Sequence, residues 1–134
     1  MVYASEQDLK DRLGSLFAEI YPDSAFALLD LQDAQAEIDG VLSLFYLTPV
    51  IAEQALPLLK SWTLTLTEER AFVRTAGSRF PEKLKKRVEQ IRQRLDEIRN
   101  EQFSIPGAEK SSDSQVSFLE MDTPVFTRDS LKFF

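Results

Sequence analysis

Between residues 81 and 100 the apolar positions fall at Leu84, Val88, Ile91, Leu95 and Ile98, spaced 4-3-4-3, with charged or amide side chains at most other positions. That spacing puts one apolar stripe on a helix and predicts an amphipathic helix over 81–100, opened by Pro81. At 1.5 Å per residue the rod is about 30 Å long. Two heptads are too few for an independent coiled coil, so a core or an interface must cover the stripe.

A second seam runs through Leu31, Ala34, Ile38, Val41 and Phe45. It predicts a helix from about Asp23 to Phe45, capped by Asp23 or Ser24, with Asp30, Asp33 and Glu37 facing away from the seam. Gly40 sits inside this helix at a cost of about 1 kcal/mol against alanine. It marks either a neighbouring helix crossing closely or a tolerated kink. Upstream, "SEQDLKDRLG" reads as a short helix. Ser5 is its N-cap, Asp8 completes a capping-box-like pair, and Gly14 stops it. "SLFAEIYP" adds a turn or two of helix before Pro22 breaks it. Pro49 and Pro57 punctuate the connector that follows.

The stretch "LPLLKSWTLTLTEERAFV" is ambiguous. Trp62, Leu64 and Leu66 alternate with threonines as in a strand, while Leu58, Leu59, Trp62, Leu66 and Phe72 fit one face of a helix. It runs too far without a turn signal for an ordinary strand, and a helix over 57–73 is the reading adopted. "TAGSRFPE" is a turn. From Glu101 the composition becomes polar, with Gly and Ser. The sequence therefore predicts a mainly α protein. A bundle of about four helices fills 1–100, and a linker and extended C-terminal arm fill 101–134, with one short strand at "VSFLEM".

Composition narrows the chemistry. The 134 residues suit one domain plus a tail. Cysteine and histidine are both absent, which removes disulfides, thiolate metal sites and every histidine-dependent nucleophile system. No apolar run reaches the roughly 20 residues that cross a bilayer, and the N-terminus does not read as a signal peptide. No membrane partner and no cofactor are expected. Net charge is −6, unevenly spread. Residues 1–57 hold ten acids and two bases, and residues 81–100 hold seven bases and four acids. An acidic front and a basic helix can attract each other within one chain or between neighbours. Asp30, Asp33, Glu37, Lys85, Lys86 and Arg92 are the charged inter-subunit candidates. Asp30, Asp33 and Glu37 could alternatively hold a hard cation. Lys83, Lys85, Lys86, Arg87, Arg92 and Arg94 could contact phosphates in a DNA-binding packaging or regulatory factor. The overall acidity argues against nucleic acid as the main partner.

The chain ends in "TPVFTRDSLKFF". Burying one phenylalanine is worth about 1.5–3 kcal/mol, so an aromatic end should dock on something. Phe126, Arg128, Asp129, Leu131, Phe133 and Phe134 are the partner-interface candidates. The alternative is that they fold back on their own body.

Three blocks give the chain a family likeness. They are the opening "MVYASEQDLKDRLG", the run "AQAEIDGVLSLFYLTPV" followed by "LPLLK", and the finish "PVFTRDSLKFF". In their order and spacing they resemble the Mu-like bacteriophage and prophage family named for a small head-region protein. A departure is Phe45-Tyr46, where an Arg-Tyr pair is common. The resemblance implies a small helical structural protein of the phage neck and no enzyme. Such a head–tail connector assembles as a ring and binds portal, tail-completion or tail components. The isolated subunit would be compatible with a monomer. It would be made in the host bacterial cytoplasm and end in the virion neck.

Overall fold

A computed structural model describes residues 2–75 and 81–111. Five helices lie within them: α1 (Glu6–Leu13), α2 (Leu16–Ile20), α3 (Ser24–Leu42), α4 (Leu56–Arg74) and α5 (Glu82–Arg99). The protein is mainly α, a small helical bundle. Among the described residues the only β pairing is one antiparallel bridge between Tyr46 and Lys110. "VSFLEM" and most of the turn at "TAGSRFPE" lie outside the described residues.

Local chemistry accounts for the element ends. The Ser5 hydroxyl accepts from the Asp8 amide, and the Asp8 carboxylate accepts from the Ser5 amide, a reciprocal box that satisfies two end donors of α1. Gly14 closes α1 at φ 60°, a backbone angle that favours glycine. The Asp23 carboxylate caps α3 through the Ala25 amide at 3.0 Å. α3 stops at Leu42, and the chain turns through Ser43 and Leu44, so Phe45 packs on the core from beyond the helix end.

α4 explains the mixed pattern of its sequence. It lies in the middle of the bundle, touching α1, α2, α3 and α5. Every residue from Trp62 to Glu68 is buried. A stretch of helix enclosed on all sides, as 62–68 is, has no polar stripe to reveal its period. The threonines fit because Thr63 and Thr67 donate their hydroxyls to the carbonyls of Leu59 and Thr63, one turn back, at 2.8 and 2.7 Å. The core around α4 has two parts. Leu84, Val88, Ile91, Leu95 and Ile98 of α5 meet Ile38, Leu42, Leu59, Trp62 and Leu66 in one. Leu9, Leu13, Phe17 and Ile20 meet Ala27, Leu31 and Leu64 in the other.

Two sequence readings change. A Cβ on Gly40 would meet nothing within 4 Å. Among the described residues no neighbouring helix crosses closely there, so the close-crossing reading falls. Asp30 does not face away from the seam. It is 4% exposed, on a face shared with Ala27, Leu31 and Ala34.

The linker reading also changes over its described part. Ile105 is buried and Phe103 is half-buried against the core. The Ile105 amide donates to the Tyr46 hydroxyl at 3.1 Å. The Leu47 amide donates to the Glu109 carbonyl at 2.9 Å, and the Ser111 amide to the Phe45 carbonyl at 3.0 Å. Residues 101–111 therefore form a strap on the α3–α4 connector. Gly107 has φ 70° within it.

Candidate interaction surface

The acidic front and the basic helix meet inside one chain. Arg92 of α5 donates from Nε to Glu37 of α3 at 3.0 Å. Its two terminal nitrogens donate to Glu69 of α4 at 2.7 and 2.9 Å. Arg70 adds a longer contact to Glu37 at 3.4 Å. Partial burial pushes the Glu37 carboxyl up, but hydrogen bonds and charge from Arg92, then Arg70, outweigh it and hold the group below its ordinary value. The hydrogen bonds to Glu69 and Glu37 raise the Arg92 pKa in turn.

A second cluster lies beside it. Arg74 at the end of α4 grips Asp30 with two bonds, Nε to Oδ2 at 2.7 Å and Nη2 to Oδ1 at 3.0 Å. The Tyr21 hydroxyl donates to the same carboxylate at 2.6 Å. Burial, then this hydrogen bond, pushes the Tyr21 phenol well above its ordinary value. The guanidinium also lies 4.9 Å from the Phe26 ring centre. A third polar pin joins the N-terminal segment to the connector. The Tyr3 hydroxyl donates to Asp39 at 2.6 Å and accepts from the Val50 amide at 2.8 Å.

These contacts place the charged candidates. Asp30, Glu37 and Arg92 are bound to partners in their own chain, while Asp33, Lys85 and Lys86 are exposed. Asp30, Asp33 and Glu37 do not converge. Among the described residues no group of three or more carboxylates could hold a metal ion. Of the proposed phosphate contacts, Arg92 and Arg94 are engaged by carboxylates, Arg94 by Glu97 at 2.9 Å. Lys83, Lys85, Lys86 and Arg87 are exposed and have no carboxylate partner among the described residues. Phe126, Arg128, Asp129, Leu131, Phe133 and Phe134 lie outside the described residues.

The surface also holds a groove that the sequence pattern does not announce. Leu58 and Trp62 of α4, Arg87, Ile91 and Arg94 of α5, and Phe103 of the strap line it. Arg94 lies over the Phe103 ring at 4.8 Å, and the Phe103 and Trp62 ring centres are 6.3 Å apart. Phe103 was an isolated aromatic in a polar stretch, and that was its one available signal. Elsewhere Leu47 and Ile51 are exposed along a smaller groove with Pro49 and Gly107.

No family model, no curated protein and no solved structure matches this chain. Among the described residues no helix is long and apolar enough to cross a membrane.

Proposed function

We propose that the chain is a structural protein of phage or prophage morphogenesis, a neck adaptor between head and tail that acts by ring assembly and partner binding. One observation carries this reading. The phenylalanine-rich finish, with its family-like "PVFTRDSLKFF", follows a strap bonded to the body as far as Ser111. A segment with this much apolar area, attached at a fixed point on a helical body, suits the capture of a neighbour. The pairing of acidic and basic faces within the chain supports a body that is already satisfied when it meets its partners. Ring contacts would then be heterologous, one surface of a copy meeting a different surface of the next. The protein would be made in the host cytoplasm and reside in the virion neck.

Removal of residues 123–134 tests the reading. The shortened chain should keep its helical circular dichroism and cooperative melting. Particles made with it should accumulate as unjoined heads and tails in electron micrographs. Normal joined particles would overturn the proposal. A shortened chain that fails to fold would assign those residues to the chain's own core.

A further inference from the structure

The groove between α4 and α5 has a chemistry that points to an occupant. Its floor is apolar and aromatic, from Leu58, Trp62, Ile91 and Phe103. Its charged members are Arg87 and Arg94, and no carboxylate among the described residues lines it. Arg87 has no acidic partner among the described residues. Arg94 lies over the Phe103 ring and, among the described residues, shares the half-buried Glu97, three residues along its own helix. A matching ligand needs large apolar side chains next to negative charge, with no positive charge of its own nearby.

Such a stretch occurs in the sequence that follows the strap. Residues 112–134 divide sharply by charge. Asp113, Glu120 and Asp122 make the part up to 122 purely acidic, while Arg128 and Lys132 outnumber Asp129 in the rest. The acidic part also carries Phe118, Leu119 and Met121. Only six residues separate Ser111 from Phe118. At most about 3.6 Å per residue, the steps from Ser111 to Phe118 span no more than about 25 Å, a reach that includes surfaces of a body beside the one the segment leaves.

We propose that the groove seats the segment Phe118–Asp122 of a second copy of this chain. Phe118, Leu119 and Met121 cover Trp62, Ile91 and Phe103. Glu120 and Asp122 meet Arg87 and Arg94. The inference rests on the ring-forming reading above and names its receptor surface. It also divides the labour along the C-terminal segment: 118–122 links copies, and Phe126 to Phe134 remain for a different partner.

The test uses the full chain with a photo-reactive phenylalanine analogue at position 118. Equal amounts of isotopically light and heavy copies are mixed at high concentration, illuminated, and mapped by mass spectrometry. Mixed-isotope products joining position 118 to residues 58–65, 87–94 or 103 are expected. Products confined to one copy, products at other surfaces, or no product at all would overturn the proposal. Charge reversal supplies the second arm. Arg87→Glu with Arg94→Glu should weaken self-association about tenfold, and Glu120→Arg with Asp122→Arg in the same chain should restore it. Tighter binding of single-stranded oligonucleotide than of a second copy, read by the emission of Trp62, the only tryptophan, would also overturn it. Failure here is distinguishable from failure of the neck reading. The groove could be empty in joined particles that still require residues 123–134, whereas normal particles lacking those residues would remove the neck reading whatever position 118 touches.

Discussion

Replacing Arg74 with methionine removes both guanidinium hydrogen bonds from Asp30 while keeping an aliphatic stem beside Phe26. The carboxylate left behind is 4% exposed, with Tyr21 still donating to it. Stripping one partner from a fully buried ion pair costs about 3–5 kcal/mol. The Arg74 side chain is 36% exposed, so water already screens part of the pair and the cost should be nearer 2 kcal/mol. For a chain of this length that lowers Tm by roughly 8 °C. Asp30→Asn should cost less, about 1 kcal/mol, because the stranded guanidinium can turn to solvent while a stranded carboxylate at Asp30 cannot. The double variant should lose less than the sum of the two, with a coupling of about 1–2 kcal/mol. Urea unfolding of all four full-length chains, followed by far-ultraviolet circular dichroism, closes the cycle. Additive losses, or a greater loss from Asp30→Asn than from Arg74→Met, would refute the claim that burial of the acid governs this pair.

Other substitutions probe other parts of the structure. Gly40→Ala adds a methyl group into open space and should raise stability by about 0.5–1 kcal/mol in a thermal melt. A loss would mean that something packs on that face. Thr67→Val should shift stability by less than about 1 kcal/mol, because the fully buried hydroxyl bonds only back to its own helix. The folded-state pKa of Glu37 lies below its unfolded value, so its stabilising contribution is complete above the unfolded value of about 4.3 and fades as pH falls through the folded one. Melting curves should therefore show stability declining below about pH 4, with Glu37→Gln flattening that decline; an unchanged slope would remove Glu37 from the cause. Gly107→Ala should cost about 1 kcal/mol because of its positive φ, seen as a lower Tm without loss of helix content.

The helices that border solvent were legible from their spacing, whereas the central one could be read as a helix only from its length. α5 has one apolar and one polar side, and α3 has the same division over its second half, so spacing alone places Ile38, Leu84 or Ile98 inside. α4 is covered on every side from Trp62 to Glu68, and Thr63 and Thr67 bond within the helix, so the pattern of that stretch imitates a strand. The acid–base attraction could be read from composition, yet the identity of each pair could not. Asp30 looks like any solvated carboxylate until Arg74, 44 residues away, is folded against it. The strap was hidden for a similar reason. Its polar composition reads as a linker, and what holds it is long-range: backbone bonds to Phe45 and Leu47, and the burial of Ile105. The groove inherits that difficulty, since Phe103 forms one of its walls only after the strap has closed.

The strap also decides where tension would enter the molecule. A pull transmitted through Ser111 does not act first on the last turn of α5. It loads the hydrogen bonds at Phe45 and Leu47, and these residues lie in the connector between α3 and α4, the two longest helices. Such a load would spread into the most deeply packed part of the bundle instead of peeling away its outermost helix.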